Sequence, residues 1–114
     1  MIKPRLRRSQ TLQFIFGIYL ITQQTACVAE QEKGREVYLK WCTPCHMDSP
    51  FAPATIRLKH TRGEALAVLE KRNDLSPDYI RILVRKGVNG MPLFRKTEIS
   101  DQQLEELVNY LTTR

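Results

Sequence analysis

The sequence lacks several patterns, and each absence excludes a class of protein. Residues 30–114 contain no run of β-branched residues and no alternating, strand-like stretch, which excludes a parallel sheet. No apolar run reaches the roughly 20 residues that a membrane-spanning helix needs. No internal repeat or low-complexity segment is present, and 114 residues make one small domain at most.

The first residues lack acidic side chains, and their pattern is that of an export signal. Residues 1–8 carry four basic side chains, an apolar run follows from Leu12 to Ile21, and small residues surround Ala29. This order is typical of a secretory signal peptide. We therefore predict a signal peptide over residues 1–29, cleaved after Ala29, and a periplasmic location. Its removal takes away four of the 18 basic residues and none of the acidic ones, which lowers the net charge from +6 to +2.

The small charge of the processed chain bears on its partners. No platform of interleaved basic and aromatic side chains is present, so the high isoelectric point of the whole sequence does not indicate nucleic-acid binding. Cys27 offers a second way to end the signal, because a cysteine after Thr25-Ala26 could be lipidated. Gln24 stands where bacterial lipoproteins usually place leucine, so we favour a chain without a lipid anchor.

The two remaining cysteines lie in one motif, Trp41-Cys42-Thr43-Pro44-Cys45-His46. This is the C-x-x-C-H signature of covalent c-type haem attachment. Each thiol adds across one porphyrin vinyl group to give a thioether, and the imidazole that follows binds the iron. The spacing predicts one haem c, held covalently through Cys42 and Cys45, with His46 as an axial iron ligand.

A second axial ligand is expected, because haem iron that transfers electrons is normally six-coordinate. The candidates are Met47, His60 and Met91. Met47 adjoins His46 and cannot reach the opposite haem face, whereas Met91 lies in a loop and is followed by Pro92. A thioether ligand favours ferrous iron and raises the reduction potential. We predict Met91 as the second metal ligand, with His60 as the alternative.

The apolar spacing predicts an all-α domain. Four helices are indicated: residues 30–41, 64 to about 72, 77–86, and a last helix that begins at the Ser100 capping box and carries an apolar stripe from Leu104 to Leu111. Ser76, Pro77 and Gly87 delimit the third of these helices, and a capping box at Ser100 begins the fourth. Residues 47–53 and 88–94 are predicted loops, and residues 54–62 look irregular and basic.

In combination these motifs resemble the small bacterial members of the class I cytochrome c family. Gly34, Tyr38 and the C-x-x-C-H motif match that family's N-terminal helix and haem site. Leu107-x-x-Tyr110 matches its C-terminal helix, and Met91-Pro92 matches its distal ligand loop. The resemblance covers roughly residues 32–112. It implies a class I cytochrome c domain over residues 30–114, with about four short helices wrapped round one covalently bound haem.

The resemblance also implies details of the site. In this family the two terminal helices cross at the glycine that corresponds to Gly34. A loop proline carbonyl accepts a hydrogen bond from the axial histidine and sets its tautomer. Pro53 is the matching residue here, although Ala52 replaces the glycine that often precedes it.

A narrower resemblance concerns the run Val84-Arg85-Lys86-Gly87 … Gly90-Met91-Pro92 and the compact length. Both are similar to the cytochrome subunits of flavocytochrome phenol oxidases of the p-cresol methylhydroxylase and eugenol hydroxylase types. The resemblance implies a single-electron carrier, with no catalytic residues of its own, that takes electrons from a flavoprotein oxidising a phenolic substrate. Basic residues close to the haem, with Arg57, Lys59 and Arg62 as first candidates, could steer an acidic partner.

The alternative function is a periplasmic thiol–disulfide oxidoreductase, because Trp41 to Cys45 also match the W-C-x-P-C motif of that class. That fold requires a strand before the tryptophan, whereas the residues before Trp41 have a helical period. It also requires a helix that continues beyond Cys45, which Pro50 and Pro53 would stop. A zinc site built from Cys42, Cys45 and His60 lacks the spaced second pair of ligands usual in structural zinc sites.

Overall fold

Five α-helices make up most of the part of the chain that the computed structural model describes, residues 27–113. They are α1 (residues 27–41), α2 (Thr43–His46), α3 (Pro53–Arg62), α4 (Pro77–Lys86) and α5 (Asp101–Thr112). Two short 3-10 helices, Glu64–Leu66 and Leu69–Lys71, lie between α3 and α4. No strand forms within residues 27–113, where an isolated bridge pairs Val88 with Met91. The predicted all-α fold class is confirmed.

Most of the predicted signal peptide, residues 1–29, lies outside the described residues. Residues 27–29 form the exposed first turn of the described part of α1. The extent of the signal and its cleavage after Ala29 therefore stay predictions. Among the described helices, none combines the length and the apolar character that crossing a bilayer requires.

Both ends of α4 and the start of α5 are where the sequence predicts them. The Ser76 hydroxyl accepts a hydrogen bond from the Tyr79 amide at 3.2 Å, and Gly87 ends α4 at a φ of 66°. At the start of α5, Ser100 and Gln103 form the complete capping box, with each side chain accepting from the other residue's amide. These caps satisfy amides that the first helical turn leaves without partners.

Two segments differ from the prediction. Residues 54–62 were expected to be irregular but belong to α3, which starts at Pro53 and buries only Thr55. A helix with so little apolar surface leaves no periodic signal in the sequence. The predicted short helix over residues 64–72 is instead two 3-10 turns, because Val68 between them is extended at φ −98° and ψ 114°.

The core lies between α1, α4 and α5. Its buried members are Val37, Tyr38, Ile80, Val84, Ile99, Leu104, Leu107, Val108, Tyr110 and Leu111. Burying one valine, leucine or isoleucine side chain stabilises the folded state by about 1.5–3 kcal/mol. The rings of Tyr38 and Tyr110 pack with their centroids 5.8 Å apart and join α1 to α5 directly. The apolar stripe predicted for α5 is therefore the largest part of this core.

Helices α1 and α5 touch backbone to backbone at Gly34. A Cβ atom added to Gly34 would lie 2.1 Å from the Glu106 carbonyl oxygen and 2.6 Å from the Tyr110 Cβ. Both distances are far below van der Waals contact, so the two helices can cross at this depth only without a side chain. The crossing fixes the direction of α1, and the C-x-x-C-H motif begins directly after its last residue.

We expect Gly34→Ala to destabilise the folded protein by about 2–3 kcal/mol, because overpacking a fixed contact outweighs the better helix propensity of alanine. Urea unfolding of the purified protein measures the change. Gly90→Ala is the matched control, since its new Cβ would meet no heavy atom within 4 Å. Equal stability of the two variants would contradict the close crossing.

Candidate haem-binding site

The C-x-x-C-H motif folds as one helical turn directly after α1. The amides of Cys45 and His46 both donate to the Cys42 carbonyl, at 3.1 and 2.9 Å. Pro44 lies in the first turn of α2, where a missing amide hydrogen costs nothing. This turn places the two thiols one helical turn apart, with the imidazole immediately after them.

Two hydroxyl groups hold the end of this turn. The Tyr38 hydroxyl donates to the His46 carbonyl at 3.0 Å, and the Thr55 hydroxyl donates to the Met47 carbonyl at 2.8 Å. Tyr38 is a core residue of α1, whereas Thr55 is buried on α3. The backbone at His46 is therefore fixed from two helices, which limits the movement of its side chain.

The imidazole of His46 is the clearest sign that this turn is built for a ligand. Its Nδ1 atom is buried and has no hydrogen-bond partner in the described structure. Burial lowers the pKa of His46, which favours the neutral imidazole that metal binding requires. A buried, unpaired ring nitrogen is costly for the protein alone. The arrangement fits a histidine whose other nitrogen, Nε2, would bind haem iron and whose Nδ1 still needs a hydrogen-bond acceptor.

Pro53 was expected to supply that acceptor. It is exposed and is the first residue of α3, where backbone carbonyls point along the helix toward later amides. His46 Nδ1 has no partner in this structure, so a hydrogen bond to the Pro53 carbonyl is not formed here. The orienting role of Pro53 stays a prediction from family resemblance.

The two cysteine thiols have different surroundings. Cys42 is half-buried against the core, and burial together with the neighbouring Cys45 raises the pKa of Cys42 to about 12. Cys45 is exposed. A reactive redox cysteine needs a lowered thiol pKa, which Cys42 does not have. Trp41 moreover ends a helix, not a strand, and both features count against the thiol–disulfide oxidoreductase.

Met91 lies in a tightly closed loop after α4, which we call the Met91 loop (residues 87–94). Val88 and Met91 exchange backbone hydrogen bonds of 3.1 and 2.9 Å, around Asn89 at a φ of 51°. A Cβ on Gly87 would lie 2.7 Å from the Met91 carbonyl oxygen. The loop therefore turns back closely onto the end of α4, and this turn requires glycine.

The Met91 loop and the C-x-x-C-H motif pack on the same core. Met91, Cys42 and Trp41 are all half-buried against the core cluster. The Trp41 and Phe94 rings meet edge to face, with their centroids 5.7 Å apart. This contact joins the end of α1 to the end of the loop, so the predicted ligand residues from distant parts of the chain share one packing unit.

The other predicted candidates lie at the surface. His60 is exposed near the end of α3, and Met47 is exposed directly after the motif. Among the residues that the structure describes, no three His, Cys, Asp or Glu side chains are grouped to hold a metal ion. The side chains of His60 and Met47 are thus exposed, whereas Met91 is half-buried against the core.

Two residues that support the site were missed by sequence reasoning. Thr55 lies in a segment that was expected to be irregular. Pro53 could have indicated the helix there, because proline is common in the first turn of a helix. In the sequence, Arg85 stands out only as part of the run Val84-Arg85-Lys86-Gly87 that resembles the cytochrome subunits of flavocytochromes. Its contacts reach residues 9 to 16 positions further on, and no local pattern encodes them.

Comparison with known proteins agrees with this geometry. The family described as cytochrome C oxidase, cbb3-type, subunit III matches residues 29–111. The chain is also 29% identical over 98 residues to the cytochrome c subunit of the hydroxylating 4-cresol dehydrogenase of Pseudomonas putida. The aligned residues cover 86% of this chain and 74% of that subunit. No solved structure is significantly similar to this chain. The chain therefore belongs to the cbb3-type subunit III family of c-type cytochromes, and it is a haem-carrying electron-transfer protein, not an enzyme.

Proposed function

We propose that the protein carries single electrons with one haem c, attached through Cys42 and Cys45 and bound axially by His46 and Met91. The observation that carries this proposal is the single helical turn that holds both thiols and His46, whose burial favours the neutral imidazole that metal binding requires. Haem bound there would supply reversible ferric–ferrous chemistry. The soft thioether of Met91 supports the ferrous state.

The protein residues supply a rigid and largely dry setting. Tyr38 and Thr55 hold the backbone on the histidine side, and the Trp41–Phe94 contact anchors the Met91 loop. Residues held firmly on both sides would reduce the rearrangement that accompanies a change of charge on the iron. Apolar side chains of α1, α4 and α5 exclude water and thereby tune the potential.

A redox protein is the proposed partner, and the relative's identity indicates its class. That relative is a subunit of a 4-cresol dehydrogenase, so we propose a flavoprotein that oxidises a phenolic substrate as the electron donor. Export by a signal peptide over residues 1–29 would place the protein in the periplasm. Cleavage after Ala29 would leave no lipid anchor, whereas processing before Cys27 would allow one.

Helix α3 offers a surface for such a partner beside the haem-binding turn. Arg57, Lys59 and Arg62 are all exposed on α3, which contains no acidic residue. Lys59 pairs with Glu64 at 2.6 Å, but within residues 27–113 no carboxylate pairs with Arg57 or Arg62. Phe51, in the loop before α3, is 88% exposed. An apolar tip beside uncompensated positive charge suits an acidic protein surface.

The covalent haem is tested by mass and by extraction. We expect the exported protein to exceed the mass of the chain processed after Ala29 by one haem, and to keep its colour through acid–acetone extraction. Cys42→Ala/Cys45→Ala should lose both properties. A colourless wild-type protein of unmodified mass, produced with haem maturation available, would refute the proposal.

Axial ligation by Met91 is tested separately. Met91→Ala should keep the covalent haem but lose the weak red-end absorption band of methionine-bound ferric haem. Met47→Ala is the matched control, because Met47 is exposed beside the motif, and it should keep the band. Persistence of the band in Met91→Ala would assign the ligand to another residue.

The charge of α3 is tested with small oxidants of opposite charge. Arg57→Glu/Arg62→Glu should slow oxidation of the ferrous protein by ferricyanide by about tenfold at low salt, and should speed oxidation by a cationic cobalt(III) complex. Both effects should shrink at 0.5 M salt, because screening is stronger. Lys33→Glu/Arg35→Glu on α1 makes the same charge change at least two turns before Cys42. Equal effects of the two double variants would mean that α3 has no special place near the haem.

A further inference from the structure

Arg85, near the end of α4, is the residue that joins the Met91 loop to the rest of the fold. Its guanidinium donates to the Phe94 carbonyl at 3.1 Å and to the Ile99 carbonyl at 2.8 Å through one nitrogen. The other terminal nitrogen donates to the Asp101 carboxylate at 2.9 Å. One side chain therefore contacts the end of the loop, the segment after it and the start of α5.

These contacts lie where the loop would otherwise be free to move. Its first residue, Gly87, turns the chain back against Met91, and the Phe94 amide donates to the Val84 carbonyl at 2.8 Å. Beyond Phe94 six residues, mostly exposed, precede the start of α5. Arg85 holds Phe94, just before this stretch, and Ile99 and Asp101 at its end to the same helix, so these contacts oppose opening of the loop.

The chemistry of the contact requires arginine. Three bonds to acceptors from different parts of the chain use the planar fork of the guanidinium, which a lysine ammonium does not reproduce. Ile99 is fully buried, so its carbonyl has little access to water if the donor is removed. The Asp101 carboxylate is also held by Lys96 at 2.6 Å, so it keeps one cation when Arg85 is replaced.

We propose that Arg85 is a positioning residue that keeps the Met91 loop closed, and that it thereby limits how often Met91 leaves the haem iron. This inference rests on the proposed axial ligation by Met91. Arg85 does not itself touch the ligand atom in the structure. It acts through the backbone of the loop in which Met91 lies.

Added imidazole measures opening of the loop directly. An external ligand can bind ferric iron on the Met91 side only while the loop is open, so its apparent affinity scales with the open fraction. We expect Arg85→Gln to bind imidazole about tenfold more tightly than the wild-type ferric protein. Arg85→Lys should show most of the same increase, since it keeps the charge but loses the fork.

Arg81, one turn earlier on α4, provides the matched control. It also joins α4 to α5, through bonds of 2.8 and 2.6 Å to Glu105, and it bonds Asp78 at 2.8 Å. Within the described residues its hydrogen bonds do not reach the Met91 loop. Arg81→Gln should therefore lower the urea midpoint without changing the imidazole affinity.

The outcomes separate the two proposals. If Arg85→Gln and Arg85→Lys bind imidazole no more tightly than Arg81→Gln, the positioning role of Arg85 is overturned. If Arg85→Gln does not fold, Arg85→Lys alone decides by the same comparison. If Met91→Ala binds imidazole with wild-type affinity, or if the wild-type ferric protein lacks the methionine band, ligation by Met91 fails first. A wild-type band with unchanged Arg85 variants leaves that ligation standing.

Discussion

The close crossing of α1 and α5 at Gly34 is the contact on which the rest of the structure depends. No side chain separates the two backbones there, so α1 has a fixed direction relative to the largest part of the core. The C-x-x-C-H turn continues from the end of α1, and Tyr38, one turn after Gly34, bonds the carbonyl of His46. The position of the haem-binding turn is thus set by a contact two helical turns away from it.

The second half of the site is positioned by a different kind of contact. Met91 and Phe94 are only partly buried against the core, and the loop is held in addition by backbone hydrogen bonds, a glycine turn and the guanidinium of Arg85. The contact between the Trp41 and Phe94 rings packs the end of the Met91 loop against the end of α1. The C-x-x-C-H turn therefore depends on core packing together with two hydroxyl hydrogen bonds, and the Met91 loop on part-buried packing together with directional bonds that a single substitution can remove.

Elements that depend on local signals were predictable from the sequence. Ser76 and Ser100 specify the starts of α4 and α5, and the spacing of Leu104, Leu107 and Leu111 specifies which face of α5 is buried. The C-x-x-C-H motif likewise acts within six residues. Helix α3 was missed because its stability comes from contacts with neighbouring turns rather than from an apolar stripe. The bonds of Arg85 were not predictable, because their partners are brought together only when the chain has folded.

The unpaired Nδ1 of His46 is a buried polar atom that the polypeptide does not satisfy. A buried nitrogen without a partner costs about 1–3 kcal/mol, which is a large share of the stability available to a domain of this size. Coordination of iron through the other ring nitrogen would leave Nδ1 unsatisfied, so recovery of that free energy requires a backbone carbonyl within hydrogen-bond reach of the ring. A rearrangement of the segment after the motif that brings such a carbonyl to His46 would therefore stabilise the folded chain and orient the imidazole at the same time.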